Sequence, residues 1–208
     1  MPRLMDMGLE RLSNAIGDMA NLAQESVMKA IEAYGKGERI TKEALNRAHQ
    51  LSMLSNEVEE LAVELLARYQ PVATDLRFIK SCLEIAYGFS RFGRYAYDIA
   101  QVLEIFGDLS QCDKSVVQDL SGKVTKMMQA SILSFKTRDS DMARSLRDED
   151  DAVDKIYLDY IKEVTQQEPI QLKCALASTL VLRYLERIAD HACYIGDSVI
   201  YITSGKKI

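Results

Sequence analysis

The sequence predicts an all-α protein: two tandem three-helix bundles, six helices in all, related by an internal duplication. Three observations carry this prediction. Apolar residues recur every three or four positions along almost the whole chain, the spacing that gathers them on one face of a helix. Three prolines occur in 208 residues, and no alternating strand pattern or hairpin turn competes. The order helix, polar turn, helix, proline, helix then occurs twice.

In the first helix Leu9, Leu12, Ile16, Met19, Ala23, Val27, Ala30 and Tyr34 keep the helical period until Gly35-Lys36-Gly37 stops it. A second helix carries Leu45, Ala48, Leu51, Val58, Leu61, Leu65 and Tyr69. It ends before Pro71, because a residue preceding proline disfavours the helical region. Pro71 suits the first turn of a third helix, with Leu76, Ile79, Leu83, Ala86, Ala96, Ile99 and Leu103, which Gly107-Asp108 breaks. That break divides the chain into units 1–108 and 109–208. Val117, Leu120, Val124, Met127 and Ala130 mark a fourth helix. The polar residues 137–141 offer N-caps for a fifth, with Met142, Leu146, Val153, Ile156, Tyr160 and Val164 as its apolar face. Pro169 opens the sixth, which runs to about Thr203.

Composition narrows the function classes. The chain is 48% hydrophobic and 27% charged, enough apolar residue for a real core. A net charge of −5 argues against nucleic-acid binding, which needs a basic footprint. The longest apolar stretch, residues 174–182, is far too short to span a bilayer. Residues 1–10 include Arg3, Asp6 and Glu10 and lack a signal-peptide core. The expected location is cytoplasmic, without membrane insertion. Cys82, Cys112, Cys174 and Cys193 form no C-x-x-C pair or zinc-finger spacing, and are expected as reduced thiols, mostly in helix cores.

The halves align by position. Ser52-x-x-x-Asn56 in the second helix lies opposite Asp150-x-x-x-Asp154 in the fifth. Ser90-x-x-x-Arg94 in the third lies opposite Glu186-x-x-x-Asp190 in the sixth. Residues four apart share a helix face, and like charges so placed repel unless a cation offsets them. Two such pairs on neighbouring antiparallel helices present four carboxylates, Asp150, Asp154, Glu186 and Asp190, to one patch. Hard oxygen ligands of this kind suit magnesium, calcium, manganese or iron. Asp197 extends the stripe, and Glu149 and Asp151 add negative charge. The alternative is a solvated acidic face. Tyr157 stands one turn past Asp154, as a core residue or beside the site.

Catalytic readings are weaker. A carboxylate-bridged di-iron oxidase needs Glu-x-x-His on two helices, and no Glu here precedes a His by three. His191 follows Asp190, but adjacent helical residues point about 100° apart. His49 reads as a surface or partly buried residue. No glycine-rich phosphate loop or hydrolase triad is present. Lys173, Arg183 and Arg187 read as ordinary surface cations, and Tyr87, Tyr95 and Tyr97 as packing residues. The chain is expected not to be an enzyme.

Gln70-Pro71-Val72-Ala73-Thr74-Asp75-Leu76-Arg77 resembles the Q-P-V-A-x-D-L-R signature of the PhoU family, the phosphate-uptake regulators associated with phosphate ABC transporters. Residues 185–192, Leu-Glu-Arg-Ile-Ala-Asp-His-Ala, resemble its E-R-I-x-D-x-A signature, and Asp150-Asp151-Ala152-Val153-Asp154 resembles its D-x-x-I-D stretch. The resemblance covers residues 7–202. It implies two tandem three-helix bundles whose E/D-x-x-x-D motifs bind multinuclear metal clusters. It places such a site on Asp150, Asp154, Glu186 and Asp190, with iron, zinc, magnesium or manganese as the metal. The first repeat departs from the pattern at Ser52, Asn56, Ser90 and Arg94, and Arg94 repels cations, so it is expected to have lost its site, although Glu57, Glu59 and Glu60 lie nearby. The resemblance also implies a negative regulator of phosphate uptake. Such a regulator contacts the phosphate ABC transporter ATPase, relays transporter status to a sensor kinase, and often forms a homodimer. A metal-dependent enzyme or metal store on the same carboxylates, and a purely structural helical adaptor, are the alternatives.

Overall fold

In a computed structural model, which describes residues 4–166 and 171–206, the chain folds into six α-helices: α1 (Leu4–Lys36), α2 (Thr41–Tyr69), α3 (Ala73–Phe106), α4 (Ser115–Thr137), α5 (Ser140–Gln166) and α6 (Leu172–Ser204). No strand occurs among the described residues. Helices α1, α2 and α3 pack together as one three-helix bundle, and α4, α5 and α6 as a second. The bundles join through α3 against α6, with α1 touching α4.

Burial follows from this arrangement. The central α3 buries Ile79, Cys82, Ile85, Phe89, Phe92, Ala96, Ile99 and Leu103, and α6 buries Val181, Leu185, Ile188, Ala192, Ile195 and Val199. The outer helices bury little: Ala44, Leu51, Val58, Ala62 and Leu65 on α2, and Ala143, Leu146 and Val153 on α5. They present broad polar faces as a result, and the four carboxylates belong to the α5–α6 face. At Gly88 the two central helices come close, since an added methyl there would stand 3.0 Å from Ile195 Cγ1.

Helix ends follow local chemistry. Gly37, Gly107 and Gly205 take φ near +70°, where glycine has no Cβ to clash. Asp139 caps α5: its Oδ1 accepts the amides of Asp141 and Met142, both at 2.9 Å. Arg138 ends α4 at φ +57°, with its guanidinium over the Phe78 and Phe135 rings at 4.3 and 4.9 Å.

Several expectations are corrected. Pro71 lies ahead of α3 rather than in its first turn; Gln70, left-handed at φ 46°, closes α2, and α3 begins at Ala73. Pro169 lies outside the described residues. Leu76 and Tyr87, assigned to packing, are 44% and 60% exposed, because α3 turns them away from α1 and α2. Cys112 and Cys174 are joined by a disulfide rather than standing as free thiols, whereas Cys82 and Cys193 are free and buried as expected. No helix of the described residues is long and apolar enough to cross a membrane.

Candidate functional site

Helices α5 and α6 run antiparallel. Ala143 and Leu146 lie against Gly196, the Cys193 thiol donates to Leu146 O, and Arg147 reaches Asp197. This register sets Asp150 near Asp190 and Asp154 near Glu186, so the two i, i+4 pairs predicted from the sequence come together. Mutual repulsion records that proximity. Burial, then Asp190 and Asp154, push the Asp150 carboxyl up to about 6. Burial, then Asp190, push Glu186 up to about 6, with Arg183 partly opposing and Asp154 adding to the rise.

Two oxygens of the patch, Asp150 Oδ1 and Glu186 Oε2, are buried without a hydrogen-bond partner. An orphaned buried acceptor costs about 1–3 kcal/mol. The donor set is all carboxylate, the chemistry of hard cations. The other Glu186 oxygen accepts from Arg183 Nη1, and Arg187 Nη1 donates to Asp190 Oδ2 at 3.0 Å. Tyr157 packs against the apolar core, with Arg183 over its ring at 5.8 Å. Among the described residues no group of three or more His, Cys, Asp or Glu side chains is arranged to hold a metal ion. The donors fit a cation in type, while two of the four carboxylates are held by arginine from their own helix.

Those two arginine contacts were not expected from the sequence, where both residues look like ordinary surface cations. Their signal was available: Arg183 precedes Glu186 by three, and Arg187 precedes Asp190 by three, neighbours on one helix face. Lys173 instead donates to Asp108 O. Asp197 lies along the stripe, acting with Asp150 and Asp190 on the buried Cys193 thiol, and Arg147 Nη2 donates to both of its oxygens at 2.9 Å. Glu149 and Asp151 are exposed. His191 turns toward α3, among the rings of Tyr87, Tyr95 and Tyr194; burial first, then Arg91, pull it down to about 4. His49 is exposed.

In the first bundle, Ser52, Asn56 and Arg94 are exposed and Ser90 is half-buried. Arg94 Nε lies 3.2 Å from Asp98 Oδ1, and its guanidinium covers the Tyr97 ring at 5.5 Å. Glu57, Glu59 and Glu60 are exposed. A cavity of about 670 Å³ between α3 and α6, lined by Leu83, Tyr87, His191, Tyr194 and Tyr201, has no counterpart in the sequence reading.

The PhoU domain model matches the chain twice, at residues 16–103 and 117–199. The chain is 30% identical to the phosphate-specific transport system accessory protein PhoU homolog of Aquifex aeolicus, with 95% of this chain and 92% of that protein covered. It is 28% identical to PhoU homolog 1 of Thermotoga maritima, covering 96% and 89%. It superposes on the crystal structure of PhoU from Pseudomonas aeruginosa with a TM-score of 0.90 at 28% identity, covering 97% of this chain and 99% of that one.

Proposed function

This chain belongs to the PhoU family, and from that premise we propose that it is an accessory regulator of phosphate transport that restrains phosphate uptake through protein contact. The observation that carries the reading is the double family match, one for each three-helix bundle. Relatives that align over nearly their whole length carry the name of transport-system accessory protein, which supports the same role here.

In this reading the chain binds rather than catalyses, is cytoplasmic, works as a homodimer, and is built of units 1–108 and 109–208. Its partners are the ATPase of a phosphate ABC transporter and a sensor kinase. The second unit holds iron, zinc, magnesium or manganese on Asp150, Asp154, Glu186 and Asp190. The two orphaned oxygens support this assignment. Arg183 and Arg187, both partly solvent-exposed, balance the charge of Glu186 and Asp190, a role that a bound cation would share. A cation there would neutralise the patch and fix α5 against α6.

Pull-down of the transporter ATPase by this chain, at low and high phosphate, tests the role. Retention that changes with phosphate is the expected result; absence of retention at every phosphate level overturns the partner assignment.

A further inference from the structure

The connection between α3 and α4, residues 107–114, is fastened on two sides. Lys114 Nζ donates to Tyr34 O and Gly35 O, at 3.0 and 3.2 Å, where it meets the carbonyl end of α1. On the other side, Lys173 Nζ donates to Asp108 O at 2.7 Å, and Cys112 is joined to Cys174 in the first turn of α6. One disulfide therefore ties the segment between the bundles to the start of the helix that carries Glu186 and Asp190. The cysteines are 62 residues apart in sequence, and the loop they close contains α4 and α5.

Its surroundings differ from those of the other two cysteines. Cys82 and Cys193 are buried, and burial pushes both thiols well above the ordinary range, so neither ionises readily. Cys112 and Cys174 are partly exposed. Cys174 borders a cavity of about 340 Å³ with Asp113, Tyr160, Gln171 and Ser178, and Cys112 borders another with Gly35, Asp108 and Lys114. Both cysteines thus border openings large enough for a small thiol. Gln171 Oε1 lies 3.4 Å from Cys174 Sγ, an acceptor in place for the thiol once reduced.

We propose that Cys112 and Cys174 form a reversible redox-modification site, opened by thiol or dithiol reductants and closed by small disulfides. A reductant thiolate attacks Cys174 Sγ, and the Cys112 sulfur leaves as a thiolate. A second reductant thiolate attacks the reductant's own sulfur in the mixed disulfide and releases Cys174. The two protein sulfurs take up two electrons and two protons, and the reductant departs as its disulfide. Opening leaves the Lys114 and Lys173 hydrogen bonds and the α3–α6 packing in place. Its effect is local: the first turn of α6 and residues 107–114 lose their covalent link.

The test uses the whole chain, without phosphate or added metal, so its result is independent of the transport reading. Protein isolated under alkylating conditions is treated with dithiothreitol, then with oxidised glutathione. Peptide mass mapping follows the thiols, and hydrogen exchange follows the amides. Under native reduction Cys112 and Cys174 become alkylated while Cys82 and Cys193 stay protected, and oxidised glutathione restores the bond. Amides of residues 108–116 and 171–178 then exchange about tenfold faster in the reduced form, with other helices unchanged. The Cys112→Ser/Cys174→Ser variant shows the fast rate with or without reductant; if it does not fold, the wild-type comparison alone decides. Failure of the bond to form with oxidised glutathione, resistance to excess dithiothreitol, or equal exchange in both forms each overturns the proposal.

Discussion

At matching positions, α2 and α3 present Ser52, Asn56, Ser90 and Arg94, where α5 and α6 present Asp150, Asp154, Glu186 and Asp190. Behind those surfaces the central helices agree. Ile85, Phe89, Phe92, Ala96, Ile99 and Leu103 of α3 stand at the places of Val181, Leu185, Ile188, Ala192, Ile195 and Val199 of α6, and all twelve are buried. A packed interior accepts apolar exchanges of similar volume and resists polar ones. A face at the edge of the core is less constrained, although Glu186 is itself buried there. The duplicated unit has kept its core and exchanged its surface chemistry, to the point that Arg94 occupies the place of Asp190. Each arginine has its own carboxylate: Arg94 pairs with Asp98, and Arg187 with Asp190. The first bundle matches its arginine with one carboxylate, where the second has carboxylates in excess.

The largest expected effect tests that asymmetry. Metal content per chain, measured by mass spectrometry after soaking with iron, zinc, magnesium or manganese, should fall to background in Asp154→Asn/Asp190→Asn. Arg94→Ala in the first bundle should leave it unchanged. Equal metal in wild type and double variant would sink the assignment of the site to α5 and α6.

A second difference lies in where the outer helix crowds the central one: in the first bundle Gly93 meets Leu51 of α2, where the second bundle has Ala189. In the second bundle Gly196 meets α5: an added methyl would stand 2.9 Å from Leu146 Cδ1 and 3.0 Å from the Ala143 carbonyl oxygen. The matching residue of the first bundle, Ala100, already carries that methyl and is buried. Gly196→Ala should cost about 1–2 kcal/mol, the overpacking penalty less the helix-propensity gain. That is roughly 3–6 °C in melting temperature for a chain of this size. Gly122→Ala on α4, where the methyl meets nothing within 4 Å, should instead raise stability by about 0.5–1 kcal/mol. A thermal scan of both decides, and a neutral Gly196→Ala would mean that α5 slides freely on α6.

The helices themselves were legible because burial imposes a period. Ile79, Ile99 and Leu103 could be assigned to the core from spacing alone, since α3 is surrounded on several sides. Leu76 and Tyr87 show the limit: period places a residue on a face, and only tertiary packing decides whether that face is covered. The carboxylate patch was legible as two i, i+4 pairs, and the antiparallel register that joins them followed from the bundle topology. Arg183 and Arg187 were visible at i, i+3 spacing and went unread, because a surface cation and a pairing cation look alike in sequence. The disulfide had no local signal at all. Its cysteines are 62 residues apart and meet only because the α3–α4 connection passes the start of α6.

The smallest expected effect separates charge from shape at the patch. In metal-free protein, Asp150 and Glu186 titrate near 6 rather than near the ordinary carboxylate value of about 4. The native state therefore holds more protons than the unfolded chain between about pH 4 and 6, so these two groups make stability fall as pH rises through that window. Their cost is complete above pH 6. His191 acts in the opposite sense over the same range. Pulled down to about 4 from an ordinary value near 6.5, it is neutral in the fold where the unfolded chain is protonated, and stability rises with pH. The contributions oppose, two carboxylates against one imidazole, and wild type should lose a little stability between pH 4.5 and 6.5. Asp150→Asn removes one of the two carboxylates on that side and leaves Glu186. It should stabilise the metal-free protein at pH 7 by about 1 kcal/mol, the relief of a half-buried charge from desolvation and from Asp190 and Asp154, discounted for solvent screening, and tilt the pH profile upward as the His191 contribution emerges. Ser52, at the matching place in the first bundle, carries no charge to relieve, so Ser52→Asn should leave the wild-type profile unchanged. Denaturant melts at pH 5 and pH 7 read both. A destabilised Asp150→Asn at pH 7 would show that the carboxylate is held by its shape and hydrogen bonding rather than strained by its neighbours, and the contrast between the bundles would then not be electrostatic.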